Sequence, residues 1–301
     1  MVVKDEVNRI AGCLQPIFDL FASVVIIDTG STDGTQELLR ERFGIRPIIG
    51  ELTADRCYCK SDLRNLAFAK VDTPWILSLD ADERIDPEVL KRFLGMRHDE
   101  SIAGYFGSWV NHVNGAPPFE DYKLFLFRKG ARKRGLIHEN VQVDIRSRGQ
   151  QARWLDGLAV QHYPERSKHA TKTAFYRERL RCALQKEPAW YRYYWFLGYM
   201  DYCAQSWDEA LQHLDIAASA RSQLFPVECL NSHMVMAEIH ARLGHERELS
   251  QILERALAFY RDVSDDFEVQ INRRLLPWFH GAREHCRRGK LTEIRAYRFA
   301  R

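Results

Sequence analysis

The chain has 301 residues, 46% of them apolar and 28% charged, proportions of a globular protein large enough for two domains and a buried core, which excludes a disordered chain. Its 44 basic and 41 acidic residues leave a formal charge of +3, a balance that gives no basis for nucleic-acid or bulk membrane binding. No apolar run reaches the roughly eighteen residues of a membrane span, and Met1 to Glu6 lacks a signal-peptide pattern, so the expected setting is the cytoplasm.

In chain order, Val7, Ile10, Leu14, Phe18 and Phe21 recur at helical spacing and predict a first helix, bent or interrupted at Pro16. Val24-Val25-Ile26-Ile27 is a continuous apolar run ending in Asp28, the pattern of a strand buried on both faces. The loop Thr29-Gly30-Ser31-Thr32-Asp33-Gly34-Thr35 then opens a helix that Gly44 stops. A short strand over 45–49, a helix over 61–70 carrying Arg64 and Asn65, and a strand over 75–79 follow. This β/α alternation predicts a parallel sheet covered by helices. Asp86-Pro87 marks a helix start, Asp86 as N-cap and Pro87 in the first turn, with the helix running to about Gly95. Beyond it, 104–113, 122–128 and 141–145 read as mixed or antiparallel strands closing the same domain.

From about Ser167 the texture changes to helices rich in Tyr, Trp, Leu and Ala. Tyr194, Leu197, Gly198, Ala210, Leu214 and Ala217 fall on the small and large positions of a tetratricopeptide-type helical hairpin. Met236, Ala237, Leu249, Leu253 and Ala256 repeat those offsets after a 39-residue shift, and stacked units of this kind offer a groove. An ordinary helical bundle is the competing reading. The expected division is an α/β domain over 1–166 and an all-α repeat domain over 167–301.

Chemistry concentrates at Trp75-Ile76-Leu77-Ser78-Leu79-Asp80-Ala81-Asp82-Glu83, where an apolar strand runs into two carboxylates one residue apart. On a strand, positions i and i+2 share a face, so Asp80 and Asp82 can address one ion or one diphosphate, and hard oxygen ligands suit Mg2+ or Mn2+. Seven scattered cysteines do not make a disulfide framework, and Cys57-Tyr58-Cys59 lacks the C-x-x-C spacing of a zinc site, so it reads as structural.

Taken together, Val2-Val3-Lys4-Asp5-Glu6, the run Val25 to Thr35, Arg64-Asn65, Trp75 to Glu83 and Gly135-Leu136-Ile137-His138-Glu139 resemble inverting glycosyltransferases of family 2 with the GT-A fold, in particular the bacterial branch related to lipopolysaccharide core transferases. Asp5 stands where Asn is more usual, and only three residues precede Lys4, so either the opening strand is expected to be short or the start is truncated. The resemblance implies a nucleoside-diphosphate sugar as donor, UDP-sugar favoured, with Asp28 and Glu6 at the nucleoside, Arg64 at the base or phosphates, and Asp80 and Asp82 at the ribose, diphosphate and metal. It implies Glu139 as the base that takes the acceptor's proton. His138 reads equally as a structural residue or as a ligand of the metal or diphosphate, and His162 is a weaker candidate. Trp109, Asn111 and His112 fall where an acceptor binds or where a core is filled. The basic run Arg128 to Arg134 faces the diphosphate, an anionic acceptor or solvent.

The acceptor can be a glycan, a lipid or a protein, with a cell-envelope glycan preferred and a peripheral place at the inner membrane compatible. The C-terminal helices are expected to serve a protein partner or a second copy. Two other functions compete: a nucleotidyltransferase, which would carry a Gly-rich phosphate loop that Lys4-Asp5-Glu6-Val7 does not offer, and a non-catalytic repeat scaffold with a relict first domain.

Overall fold

A computed structural model describes residues 1–112, 117–164, 169–219, 224–297 and 299. The chain divides into two compact units, Met1–Ala174 and Phe175–Phe299. The boundary expected at 166/167 lies outside the described residues, as does Val113.

The first unit runs β1 (Val2–Val3), α1 (Ile10–Leu14), β2 (Ile27–Asp28), α2 (Thr35–Phe43), β3 (Ile48–Ile49), α3 (Ser61–Ala69), β4 (Trp75–Leu77), β5 (Glu83–Ile85), α4 (Pro87–Gly95), β6 (Ile102–Asn111), β7 (Phe119–Arg128), α5 (Gln142–Ser147) and β8 (Gln151–His162). Strands β1, β2 and β3 form a parallel sheet in that order, with Val3 opposite Asp28 and Asp28 opposite Ile49. A second sheet has the order β4-β7-β6-β8-β5, in which β6 and β8 are parallel and the other neighbours antiparallel. The parallel expectation therefore holds for the first sheet, and the second is mixed.

Local signals explain the boundaries. Asp86 accepts from the Glu88 amide at 2.9 Å and Pro87 opens α4. Gly44, at φ 65°, closes α2 in the left-handed conformation that a side chain would strain. The first helix stops at Leu14, ahead of Pro16, and gives way to a 3-10 turn at Phe18–Leu20. Strand β2 takes only the end of its apolar run into the ladder.

The stretch 141–145, expected as a strand, is helix α5. Asn140 Oδ1 accepts from the Val143 amide at 3.1 Å, and buried Asp144 pairs with Arg148 one turn later at 2.6 Å. A five-residue apolar run cannot by itself separate the two periods. Strands β5 and β8 were not anticipated, and β8, with twelve residues, is the longest in the unit.

Buried Val3, Ile10, Leu14, Ile26 and Leu39 pack under the first sheet, while Leu79, Ile85, Val89, Phe93, Phe125 and Val160 pack under the second. An apolar cavity of about 300 Å³ lies among Met1, Leu14, Val24, Val25, Phe68 and Ile76, beside the run leading into β2 and strand β4. The opposite condition holds at Gly107, where β6 meets β8. A Cβ there would stand 2.4 Å from Leu158 Cγ and 2.5 Å from the Leu158 carbonyl oxygen. Gly107→Ala is accordingly expected to destabilise the protein by about 1–3 kcal/mol through overpacking, measured as a lower urea midpoint. An unchanged midpoint would mean that the two strands separate at little cost.

The second unit contains the greater part of α6 (His169–Lys186), then α7 (Arg192–Cys203), α8 (Trp207–Ser219), α9 (Pro226–Leu243), α10 (Glu246–Asp262), α11 (Phe267–Ile271) and α12 (Leu275–Arg287). Helices α7 with α8 and α9 with α10 form successive hairpins. Leu197, Ala210, Leu214 and Ala217 are buried in the first, and Met236, Ala237, Leu249, Leu253 and Ala256 in the second. The glycine of the pattern is needed for contact: a Cβ on Gly198 would lie 2.7 Å from Leu214 Cγ. Among the described residues no helix is long and apolar enough to cross a membrane.

Candidate active site

The first two motifs interlock. Val7 and Glu6 amides donate to Asp33 Oδ2 at 3.0 Å and Thr35 Oγ1 at 2.8 Å. The Asp5 amide donates to Ser31 Oγ at 2.9 Å and the Thr32 amide returns to Asp5 Oδ1 at 2.8 Å. Much of the loop's polar sequence therefore zips the ends of β1 and β2 together. Asp28, fully buried, anchors this loop: its Oδ1 accepts from the Gly30 and Ser31 amides, each at 2.8 Å, and from Gln36 Nε2 at 3.2 Å. Its Oδ2 is buried without a hydrogen-bond partner among the described residues. Glu6 pairs with Arg9 at 2.7 Å, and burial pushes its carboxyl up against the pull of Arg9, with Asp82 adding to the rise.

Strand β4 ends at Leu77, so Asp80-Ala81-Asp82 lies in a turn closed by the Glu83 amide on the Asp80 carbonyl at 3.0 Å, and not on a strand. The turn aims the two carboxylates at different partners. Asp80 Oδ1 meets Arg64 at 2.6 Å and its Oδ2 lies 3.8 Å from Lys123 Nζ. Arg64 also pairs with Glu139, bridging the two carboxylates, and Lys133 Nζ stands 4.0 Å from Glu139. Beneath them Glu83, fully buried, accepts from Lys123 Nζ at 2.6 Å and from the Asp80 amide at 2.8 Å.

Three cations, Arg64, Lys123 and Lys133, thus share a small volume with the three carboxylates Asp80, Glu83 and Glu139, and the proton affinities of Asp80, Lys123 and Lys133 record it. Burial alone would raise the Asp80 carboxyl, but Arg64, then Lys123, Lys60 and Lys133, hold it well below the usual carboxylate range. Burial would lower Lys123, yet Glu83 and Asp80 outweigh it and the ammonium is held above the ordinary lysine value. Lys133 goes the other way, depressed by burial and then by Arg64 and Lys123. An added anion would be favoured here.

A depressed carboxyl adds stability that is present above the unfolded aspartate value of about 4 and is lost as the pH falls through the folded value. Arg64→Met should therefore cost more stability at pH 7 than at pH 3, as urea unfolding at the two pH values will measure. An equal cost at both would remove the Arg64–Asp80 pair from that role.

Sheet register builds the neighbouring group. Glu83 lies opposite His162 across β5 and β8, and Asn111 opposite His162 across β6 and β8. Buried Asn111 donates its amide to the Trp109 carbonyl at 3.1 Å, which leaves Oδ1 to accept from His162 Nδ1 at 2.7 Å. That hydrogen bond puts a proton on Nδ1 and leaves Nε2 facing Asp82 Oδ2, 3.4 Å away. The Trp109 ring stacks on the imidazole at 4.6 Å. A carboxylate facing an imidazole nitrogen, with the ring oriented by a second hydrogen bond, is a pair of groups fit to bind a divalent cation that takes its remaining ligands from substrate phosphates and water. Among the described residues no three His, Cys, Asp or Glu side chains cluster for a metal, so no complete protein cage is formed.

Of the residues singled out from the sequence, Arg64, Asp80 and Glu139 meet directly, Asp82 sits beside them in the turn, and Glu6 is near enough to Asp82 for their charges to interact. Asp28 closes the adjoining loop. His138 is half-buried, with its backbone in the left-handed region at φ 50°. Asn111 and Trp109 orient His162, while His112 stacks on Tyr163 at 4.6 Å. The basic run is mostly structural: Arg128 ties to the Ile102 and Asp99 carbonyls, Lys129 to Asp72 and Arg134 to Asp144, while Lys133 alone of the run joins the site. Asn65 pins that lysine's backbone, donating to its carbonyl at 2.9 Å and accepting from its amide at 2.8 Å.

Lys133 came within the basic run singled out from the sequence, whereas Lys123 and Glu83 were not anticipated as charged partners in the site. The signal for Lys123 was present: it stands at the edge of the apolar run Leu124 to Phe127 in β7, and its ammonium lies over the Phe125 ring at 5.2 Å.

The family model described as Glycosyl transferase family 2 matches residues 1–153. A TPR repeat-containing protein of Synechococcus elongatus is 34% identical over 85 residues, 28% of this chain and 20% of the relative, so the match spans a fifth of that protein's length. Among solved structures, S. aureus TarS 1-349 in complex with UDP aligns with 99% of this chain and 92% of its own at 14% identity and a TM-score of 0.42. S. aureus TarS in a longer form aligns with 94% of this chain and 54% of its own at 13% identity and a TM-score of 0.39.

Proposed function

The chain belongs to glycosyl transferase family 2, with a GT-A domain followed by a helical region, and from the residues gathered in its first unit we propose an inverting, metal-assisted transfer of a sugar from a nucleoside-diphosphate donor. The observation that carries this reading is the convergence of Arg64 and Lys123 on Asp80 and of Arg64 and Lys133 on Glu139, beside the Asp82–His162 pair.

Each part of the reaction has a residue suited to it. The unpartnered Asp28 Oδ2 accepts only, which suits a base with an imino N–H such as uracil and disfavours cytosine, whose ring nitrogen also accepts. Arg64, Lys123 and Lys133 neutralise the diphosphate that departs. Asp82 and His162 would hold Mn2+ or Mg2+, which when bound supplies further positive charge to that leaving group. Glu139 takes the proton of the acceptor hydroxyl as its oxygen bonds to the anomeric carbon and the bond from that carbon to the diphosphate breaks, which inverts the configuration. Arg64 is shared between Asp80 and Glu139, so donor phosphates that draw Arg64 away leave the Glu139 carboxylate available. We place the protein in the branch related to lipopolysaccharide core transferases on the Gly135 to Glu139 motif, with an envelope glycan as acceptor and a cytoplasmic setting.

Isothermal titration calorimetry against UDP, GDP, CDP and ADP, each with and without Mn2+, tests the reading. UDP is expected to bind in a Mn2+-dependent manner, CDP much more weakly, and Asp82→Asn should abolish the Mn2+ dependence. A folded protein that binds none of the four would overturn the assignment.

A further inference from the structure

Every carbonyl of the turn that carries the two aspartates is held, and one side chain holds two of them. The Asp80 carbonyl accepts from the Glu83 amide at 3.0 Å and from Cys13 Sγ at 3.5 Å. The Asp82 carbonyl accepts from the Tyr163 amide at 2.9 Å. Ala81 and Glu83 share a donor: Arg84 Nη1 reaches both carbonyls, each at 2.8 Å. Nη2 of the same guanidinium crosses to the Arg9 carbonyl at the start of α1, again at 2.8 Å and 75 residues away in the chain. Arg9 in turn pairs with Glu6 at 2.7 Å, so Arg84 ties the first motif to the residue between the two aspartates.

These bonds set where Asp82 points. Strand β4 ends at Leu77 and β5 begins at Glu83, so both aspartates lie between the two ladders. A carbonyl lies in the plane of the peptide that follows its residue, and the two planes flanking an α-carbon fix the direction of its Cα–Cβ bond. Ahead of Asp82 that plane is held by Arg84 through the Ala81 carbonyl, and after it by the Tyr163 amide through the Asp82 carbonyl. Tyr163 itself follows His162, whose Nε2 lies 3.4 Å from Asp82 Oδ2. The helix beneath makes room for the guanidinium. Alanine at position 12 would favour α1, but a Cβ on Gly12 would stand 2.8 Å from Arg84 Nη2 and 3.0 Å from its Nε. A planar guanidinium holds three acceptors in fixed directions, as an ammonium on a flexible stem does not.

We infer that Arg84 is a positioning residue for Asp82: it fixes the peptide plane that precedes this aspartate, and so the direction in which the carboxylate meets His162 and a divalent cation. The inference rests on the metal-assisted reading of that pair. Arg84 touches neither nucleotide nor metal in this role, and it acts through the main chain alone. Its loss therefore falls on the part of donor binding that depends on the cation, while Asp28 and Arg64 keep the part that does not.

Calorimetry of UDP binding with and without Mn2+, on the wild type, Arg84→Lys and Gly12→Ala, tests this. Arg84→Lys keeps the charge and loses the planar fork, while Gly12→Ala keeps the arginine, displaces its guanidinium and favours the helix. Each variant is expected to weaken binding in Mn2+ by about tenfold or more, the range for loss of a group that orients a metal ligand, and binding without Mn2+ by less than about twofold. The urea midpoint of Gly12→Ala should stay level or rise, which separates positioning from loss of stability. Hydrogen exchange of the metal-free protein should quicken over residues 80–84 in both variants. If Arg84→Lys fails to fold by circular dichroism, Gly12→Ala carries every readout. A wild type that binds UDP alike with and without Mn2+ would overturn the metal reading itself. A Mn2+-dependent wild type whose variants keep that dependence in full, lose binding equally in both conditions, or leave the exchange of 80–84 unchanged would overturn the role of Arg84 alone.

Discussion

Glu139→Gln is expected to lower sugar transfer by about 10²- to 10⁴-fold, the range for loss of a general base, while nucleotide binding is kept or becomes tighter. The sign of the binding change follows from Arg64. That guanidinium is divided between Asp80 and Glu139, so a neutral amide at 139 frees it for the donor's phosphates. Single-turnover transfer and nucleotide calorimetry on the same preparation separate the two effects. Transfer and binding lost together in a folded variant would make Glu139 a structural partner of Arg64, and unchanged transfer would assign the proton to another group.

Glu83→Ala is expected to cost about 3–5 kcal/mol of folding stability, because removing one member of a buried ion pair leaves the other charge without its partner. Glu83 is fully buried and holds both the Lys123 ammonium and the Asp80 amide, so its loss also frees the turn that carries Asp80 and Asp82. Glu83→Leu combined with Lys123→Met should recover much of that cost, since the stranded cation goes with the carboxylate. Urea denaturation of the single and double variants gives the coupling directly. A single-variant cost below about 1 kcal/mol would show that water reaches Lys123 and replaces the pair.

What could be read from the chain divides along a physical line. Features written by neighbours in sequence were legible: the Asp86-Pro87 helix start, the Gly44 stop, and the small residues at 198, 210 and 217 that let helices approach. Arg64, Asp80 and Glu139, each singled out by a separate motif, meet in one cluster, a contact between distant parts of the chain. Features written by strand register were not legible. His162 reaches Asp82 because β5 pairs with β8 and β8 with β6, a pairing that no local period announces. Strand β8 itself is masked by Gly157 at φ 78° and by charged residues that break its alternation. The turn at Asp80–Asp82 defeated a reading by strand parity, since two carboxylates that would share a face on a strand instead address a cationic cluster and an imidazole.

The apolar pocket beside β2 and β4 makes the occupancy of a surface hollow a variable of this fold. Some 300 Å³ bordered by Met1, Val24, Val25, Phe68 and Ile76 is apolar space, partly open to solvent, that the folded chain shapes and the unfolded chain does not. A small apolar molecule that fits the folded state alone stabilises it by mass action. An inert gas such as xenon should thus raise the urea midpoint of the protein, and more so the higher its pressure.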